Sequence, residues 1–526
     1  MDTVQPLASE VITPPPKAQH STLALHIRDS SLLLIGRVFA QGLDFAAQVL
    51  LVRYLSRSDY GAFSYGLSIV ILCRGIVLFE LPNTLARFVP VYQERKQYNA
   101  IFGSIVMGLG VVIGLGVLFA AAINAGLTVF NFQPTNDPQA LRLLLIFALL
   151  IPLEGLDVLL TTLFATFGGS RMIFVRQALF TPGLRIALVI GLIALQADVV
   201  FLPAGYLVIG LTGVLMYAWM FRSLLRRRGL LGEWHLRQLS FPFREIFGFA
   251  VPLLASTLVW LLMESSDALL LGHFQGTEAV ASFRVVLPIA RLNEGVIMTF
   301  ALLYTPLAAR LFARNEQTEL ANLYRQTAVW MTLLSFPIFA LTFGFARSMT
   351  VGIYGAQYTE SVAIMALLSL GYFFQTALGF NGLTLKIYKK LRYSVSIDMA
   401  AAVFNLVVNL ALVPRWGPMG AAVGTAGTMI VHNLLKQYGL WRITGINLFQ
   451  RQYVLSYAGF FGMALALVGV QALLPTSIWI AVPVCAVASL LVLWANRGIV
   501  QADKMFPELL QNPIIRAIVL PLTRSS

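Results

Sequence analysis

Charge is scarce in this sequence. Charged residues fill 11% of its 526 positions, against 58% for hydrophobic ones. Soluble domains carry roughly 25% charged residues, so an ordinary water-facing surface is excluded. Cysteine is almost missing. Cys73 and Cys485 lie far apart, each inside an apolar run, which argues against a disulfide framework or a thiolate metal site. The histidines His20, His26, His235, His273 and His432 are scattered without ligand spacing, and a solvated or packed role fits each of them. There is no nucleotide-binding P-loop, no zinc pattern and no nucleophile elbow. Long loops are lacking too. The largest, at 222–245, is too short to form a catalytic domain.

What the chain has is apolar length. Its mean hydropathy is +0.79, and its apolar runs approach the roughly 20 residues that cross about 30 Å of hydrocarbon. Backbone polar groups in lipid must be satisfied within a helix or a closed barrel, and these runs are too long and unbroken for barrel strands. The expected fold is therefore an all-α integral membrane protein with about fourteen transmembrane helices. The first six spans fall at Ser30–Val52, Tyr60–Leu81, Ile101–Ala125, Leu141–Phe164, Phe174–Leu195 and Val199–Phe221. A second six fall at Ile246–Gly272, Val280–Pro306, Thr327–Phe345, Ser361–Leu385, Tyr393–Val413 and Met419–Leu440, and Val454–Leu474 and Ile478–Trp494 close the series.

This pattern divides the chain into a polar tail at 1–29, an N-lobe of six helices at 30–221 and a basic linker at 222–245. A C-lobe of six helices follows at 246–441, then two helices and a tail at 442–526. The N-terminal tail carries Pro14-Pro15-Pro16 and no apolar h-region, so it reads as disordered rather than as a signal peptide. The formal net charge is +14, and its placement gives the orientation. Arginines and lysines crowd alternate loops, such as Arg222, Arg226, Arg227, Arg228, Arg237 and Arg244, while the intervening loops hold only Arg53, Arg57, Arg142, Arg347 and Arg415. Positive loops face the cytoplasm, which places both termini there and directs the basic excess at anionic lipid rather than nucleic acid.

A weak repeat relates the two lobes. Leu50-Leu51-Val52-Arg53-Tyr54 aligns with Leu270-Leu271-Gly272-His273-Phe274, and the same register sets Tyr60-Gly61-Ala62-Phe63 over Val280-Ala281-Ser282-Phe283. An even number of helices per unit makes the repeats parallel, a plan found among secondary transporters that rock two lobes around a central site.

Ionisable residues inside spans cost about 2.5–3.5 kcal/mol each at the bilayer centre, yet the spans hold several. Arg37 and Asp44 lie in the first, Arg74 and Glu80 in the second, Glu154 and Asp157 in the fourth, and Arg185 in the fifth. Glu264 and Asp267 lie in the seventh, Arg284, Arg291 and Glu294 in the eighth, and Asp398 in the eleventh. Asp44 and Glu264 coincide in the repeat register. Arg37 and Asp44 share one helical stripe, as do Arg284 and Arg291, because seven residues make two turns. Arg291 and Glu294 have the spacing of an ion pair. The expected substrate-binding set is Arg37, Asp44, Arg74, Glu264, Asp267, Arg284, Arg291 and Glu294. In this reading the arginines attract a pyrophosphate-like group, and the acids balance them or carry a coupling H⁺ or Na⁺. Structural ion pairs between the lobes, or snorkelling of Glu80 and Asp398, explain the same charges without a cargo. Pro82, Pro152, Pro182, Pro252 and Pro288 mark places where spans are expected to kink.

Three motifs resemble a known family. Val52-Arg53-Tyr54-Leu55-Ser56-Arg57-Ser58-Asp59-Tyr60-Gly61, the segment Glu80-Leu81-Pro82-Asn83-Thr84-Leu85-Ala86-Arg87-Phe88-Val89-Pro90-Val91-Tyr92, and Trp416-Gly417-Pro418-Met419-Gly420-Ala421-Ala422-Val423-Gly424-Thr425 are similar to motifs of polysaccharide biosynthesis proteins. These are O-antigen-type flippases of the multidrug/oligosaccharidyl-lipid/polysaccharide exporter superfamily. The resemblance implies a non-enzymatic carrier in the bacterial cytoplasmic membrane that moves undecaprenyl-diphosphate-linked oligosaccharide to the outer leaflet. It also implies membrane lipids and other polysaccharide-assembly proteins as partners, with no cofactor. Glu80 stands where glycine is commoner in the family, which makes it, with Arg87, the candidate cytoplasmic gate. A cation-coupled multidrug extruder and a peptidoglycan-precursor flippase share the expected architecture. A membrane polymerase or ligase would need a larger outer loop, and a pure scaffold would leave the buried charges as mere ion pairs.

Overall fold

The computed structural model describes residues 36–227, 229, 239–448, 450–474 and 477–497. The expected N-terminal tail, the start of the first span, most of the basic linker and the C-terminal tail lie outside the described residues, as do His20, His26 and His235. Among the described residues the elements are helical throughout, with no strand. The first half contains α1 (36–54), α2 (Arg57–Leu78), α3 (Leu81–Glu94), α4 (Tyr98–Thr128), α5 (Pro138–Ala148), α6 (Leu150–Thr166), α7 (Ser170–Phe174), α8 (Thr181–Leu195) and α9 (Phe201–Arg227). A π-helical turn at Val175–Phe180 joins α7 to α8. The second half begins with α10 (Phe243–Phe274), α11 (Thr277–Arg284), α12 (Leu287–Ala290) and α13 (Asn293–Ala313). Next come α14 (Gln317–Phe339), α15 (Ala346–Tyr354), α16 (Ser361–Ala377) and α17 (Asn381–Ile387). The last are α18 (Leu391–Thr444), α19 (Arg451–Leu473) and α20 (Ile478–Ala495).

Ten described helices are long and apolar enough to cross a membrane, or up to twelve if each of two bent pairs is one span. The protein is a multi-pass, all-helical membrane protein. The count differs from fourteen partly because α1 is described only from residue 36. It differs also because the expected eleventh and twelfth spans form one element, α18, of 54 residues. At 1.5 Å per residue a straight helix of that length would reach about 80 Å, far beyond the bilayer. It folds back on itself at Gly417, whose φ of 55° and ψ of −133° suit only glycine, between Pro414 and Pro418. Contacts across the hairpin confirm the reversal. The Tyr393 hydroxyl donates to the Leu435 carbonyl at 3.0 Å, and Asp398 accepts from Lys436 at 2.7 Å and pairs with His432 at 2.8 Å.

The spans are not straight, and proline marks the interruptions. α2 gives way to α3 through Phe79 and Glu80, both left-handed at φ 49° and 58°, just before Pro82. Pro182 follows the π turn. The α5–α6 pair bends by 45° shortly before Pro152, and α10 bends by 42° just after Pro252. Pro288 opens the short α12, which is flanked by turns at 285–286 and 291–292. Each proline removes a backbone donor and crowds the preceding turn, so sequence and break coincide.

Apolar packing forms two clusters. The larger runs from Ala47 through Ala290 and takes in Ala346–Tyr372 and Val413–Ala422. The smaller joins α13, α14 and α16–α20, from Phe300 to Val492. The larger therefore continues past 222–245, because α1 and α2 pack directly on elements of the second half. At the α2–α11 crossing a Cβ on Gly61 would sit 2.0 Å from the Thr277 carbonyl oxygen, so the approach needs a residue without a side chain. Cys73 and Cys485 are buried and free.

Gly417→Val should destabilise the hairpin by about 1–3 kcal/mol, the cost of forcing a branched residue into a glycine-only region. A lowered thermal midpoint in detergent would show it. An unchanged midpoint would mean that the turn tolerates another conformation.

Candidate functional site

A cavity of 480 Å³ lies where helices of the two halves meet. On α1 its wall is Asp44, Ala47, Gln48 and Leu51, and on α2 it runs from Tyr60 to Ile71 at the same three- and four-residue spacing. That spacing keeps a single face of each helix toward the cavity. Arg185 of α8 and Tyr206 of α9 complete this side. The opposite wall holds Glu264 of α10, Arg284 at the end of α11, Pro288 of α12, and Arg291 in the turn before α13.

The charges within it are mostly paired. Arg185 meets Asp44 at 3.3 Å, with Tyr206's ring beneath its guanidinium. Arg291 meets Glu264 at 2.6 Å and donates from Nε to the Tyr372 hydroxyl at 2.6 Å. Arg284 differs. Its Nη2 makes a long contact of 3.5 Å to the Glu264 backbone carbonyl, and among the described residues its Nε has no hydrogen-bond partner and no carboxylate lies within ion-pair distance. The lining holds three arginines and two acids, so the cavity carries a surplus cation at Arg284. Such a group can take an anion through charge-assisted hydrogen bonds.

The other expected site residues are dispersed. Arg37 is exposed and outside the lining, so the Arg37–Asp44 stripe does not converge on the cavity. Arg74 pairs with Glu154 of α6 at 3.0 Å. Glu294 is half-buried near Arg291 and Glu264, but Arg291 bonds to Glu264 rather than to Glu294. The helix is interrupted at Arg291, and three-residue neighbours are brought together only by continuous helix. Asp267, 5% exposed, accepts from Asn409 at 2.7 Å and from Thr425 at 2.9 Å. Asn409 and Thr428 in turn bond to Asn405. The result is a buried polar seam in which one carboxylate and several amide and hydroxyl oxygens could hold a monovalent cation or a proton. Among the described residues no group of three or more His, Cys, Asp or Glu forms a metal cluster.

Glu80 and Arg87 sit on the charge-rich face, where α3 meets the first part of α10. Glu80 accepts from Asn83 at 2.8 Å and from the Thr257 hydroxyl of α10. The Arg87 guanidinium lies 4.3 Å from the centre of the Phe249 ring. Phe79 packs edge-on against Phe247, and Tyr92 donates to Glu245 at 2.6 Å.

Arg185, Gln48, Tyr206 and the α2 serines were not among the expected site residues. Arg185 was visible as a charge inside a span, and Gln48 is one turn beyond Asp44. Tyr206 lies in an apolar run with nothing in the sequence to distinguish it. Arg176, also unassigned, is 3% exposed and bound to Asp157 at 2.8 Å. Gly213 makes room for it, since a Cβ there would lie 1.9 Å from Arg176 Nη2.

The profile of the family described as "Polysaccharide biosynthesis protein" matches residues 27–312, more than half of the chain. The chain belongs to this family. A second profile, MatE, matches residues 252–411. Among relatives of the family member, an uncharacterized membrane protein of Methanocaldococcus jannaschii is 20% identical over 85% of this chain and 89% of its own length. A probable low-salt glycan biosynthesis flippase of Haloferax volcanii is 20% identical over 39% of this chain and 43% of its own. Among solved structures, the lipid II flippase MurJ in an inward closed conformation superposes with a TM-score of 0.67 at 16% identity, covering 91% of this chain and 99% of that one. An inward-facing multidrug resistance MATE transporter gives 0.62 at 14% identity, covering 79% and 98%. The family member thus shares its fold with both.

Arg176, which is buried, and Arg284, which is half-buried, should respond differently to truncation. Arg176→Ala strands Asp157 and should lower stability by about 3–5 kcal/mol. Arg284→Ala strands no carboxylate partner and should leave the thermal midpoint unchanged or raised. Equal losses in the two variants would mean that Arg284 has a structural partner after all.

Proposed function

We propose that the protein is a flippase that carries an undecaprenyl-diphosphate-linked oligosaccharide across the bacterial cytoplasmic membrane, and makes or breaks no covalent bond. The observation that carries this reading is the surplus cation Arg284 in a cavity between the two halves of the chain. A diphosphate is the anion that a lipid-linked glycan presents, and it suits arginine's fork of donors. In this reading residues 30–221 and 246–441 act as two lobes that alternately open the cavity to each leaflet. Glu80 and Arg87 then close the cytoplasmic side against α10, with both termini in the cytoplasm. Asp267 holds the coupling proton or cation. Membership of the polysaccharide biosynthesis family supports the choice of cargo class.

A second reading is a cation-coupled multidrug exporter. It is favoured by the MatE match over 252–411 and by the likeness to the MATE structure. The surplus positive charge weighs against a cationic drug.

Proteoliposomes holding a fluorescent diphosphate-linked oligosaccharide lipid test the choice. The protein should move the lipid between leaflets, faster with an imposed H⁺ or Na⁺ gradient. Arg284→Ala should slow it by roughly tenfold or more, the worth of a hydrogen bond to a charged group, at an equal yield of folded protein, and Arg291→Ala should reduce lipid movement by more than it reduces the yield of folded protein. No lipid movement together with efflux of cationic dyes would replace this reading with the second.

A further inference from the structure

Arg291 is held at two of its three guanidinium nitrogens, and one of the two holders stands outside the cavity lining. It occupies the turn between α12 and α13, so no long helix fixes the direction of its side chain. Two groups do so instead. Glu264 of α10 accepts from Nη1 at 2.6 Å, and the Tyr372 hydroxyl of α16 accepts from Nε at 2.6 Å. Among the described residues Nη2 has no hydrogen-bond partner. With Nε and Nη1 both held, the plane of the guanidinium is set, and Nη2 is the nitrogen left for a ligand. Charge-assisted bonds of this kind are about twice as strong as neutral ones.

Tyr372 is 2% exposed and does not line the cavity. A phenol in such a place is costly unless its hydroxyl is used, and here a cation uses it. The first half of the chain shows a related arrangement with one difference. There Arg185 pairs with Asp44, which coincides with Glu264 in the repeat register, and lies 5.5 Å from the centre of the Tyr206 ring. Arg291 lies 5.9 Å from the centre of the Tyr372 ring. Each half thus combines an arginine with a carboxylate and a tyrosine. Tyr206 meets Arg185 through its ring and itself lines the cavity, whereas Tyr372 stands behind Arg291 and also binds it through oxygen.

We propose that Tyr372 is a positioning residue for the anionic group of the cargo. Its hydroxyl, together with Glu264, fixes the Arg291 guanidinium so that Nη2 is presented to the cavity, and Tyr372 acts on the cargo only through Arg291. Arg284, held by one long contact, adjusts to the anion, while Arg291 receives it without first losing side-chain freedom. The role toward the cargo rests on the flippase reading; the hold on Arg291 does not.

The test is a double-mutant cycle on the full-length protein in detergent, with inorganic pyrophosphate as the probe. Tyr372→Phe keeps the ring and removes the acceptor. It should weaken pyrophosphate binding about tenfold, the upper end of what ordering one long side chain costs. In an Arg291→Ala background the same change should weaken binding by less than about twofold. Unchanged affinity in the first background, or equal loss in both, overturns the positioning role, because a merely structural tyrosine acts in both. A second readout needs no ligand. Phenylglyoxal modification of Arg291, followed by peptide mass spectrometry, should be several-fold faster in Tyr372→Phe, with Arg185 unchanged. No gain at Arg291 overturns the hold. If Tyr372→Phe does not fold, Tyr372→Met, which lacks the hydroxyl and adapts to its surroundings, takes its place in both measurements. No pyrophosphate binding by the unmodified protein sinks the diphosphate-cargo reading and the role toward the cargo with it, while the modification rates still decide the hold on Arg291.

Discussion

An ionised side chain inside hydrocarbon must find a partner, and that requirement orders the interior of this protein. Arg74–Glu154, Arg176–Asp157, Arg185–Asp44 and Arg291–Glu264 each join two different helical segments. Every pair thereby dictates which faces of its two helices meet. Isolated pairs of this kind add little net stability, since desolvation offsets their attraction. What they contribute is specificity of assembly, because a helix rotated by half a turn would strand two charges. Against this background the guanidinium of Arg284 stands out, because among the described residues no carboxylate lies within ion-pair distance of it.

Irregular backbone in a membrane protein is tolerated where it is buried or lines a cavity. The interruptions here follow that rule. The turns around α12 place Arg284 and Arg291 at the ends of short helices, so their side chains leave the backbone where it is not locked into a long regular helix. The left-handed pair Phe79 and Glu80 interrupts the span that also lines the cavity through Tyr60, Ser64 and Ser68. These two stretches are where the backbone can change direction with the least loss of hydrogen bonding.

Much of the fold was legible in the sequence, for physical reasons. A span must be about 20 apolar residues long, and a proline cannot donate its backbone bond, so both leave marks that need no structure to see. The coincidence of Asp44 with Glu264 in the repeat register also translated into space, since both line the cavity. What escaped was anything set by rotation or by breaks. Arg37 shares a stripe with Asp44 on paper, yet lies at the exposed start of the described chain. Arg291 was expected to meet Glu294, but the turn at 291–292 breaks the spacing on which that expectation relied. Tyr206 and the serines of α2 enter the cavity through tertiary packing alone. The contacts of Arg53 with Ile353 and of Arg57 with Glu360 were hidden because these partners lie about 300 positions away, beyond any local pattern.

Arg53 ties the end of α1 to the last turn of α15. Its acceptors are the backbone oxygens of Gly352 and Ile353, which carry no titratable proton and which no side-chain replacement can delete. Arginine itself stays charged across the whole biological pH range. This junction is therefore indifferent to acidity on the side it faces and tolerant of sequence drift in the segment it grips, so only the arginine has to be kept.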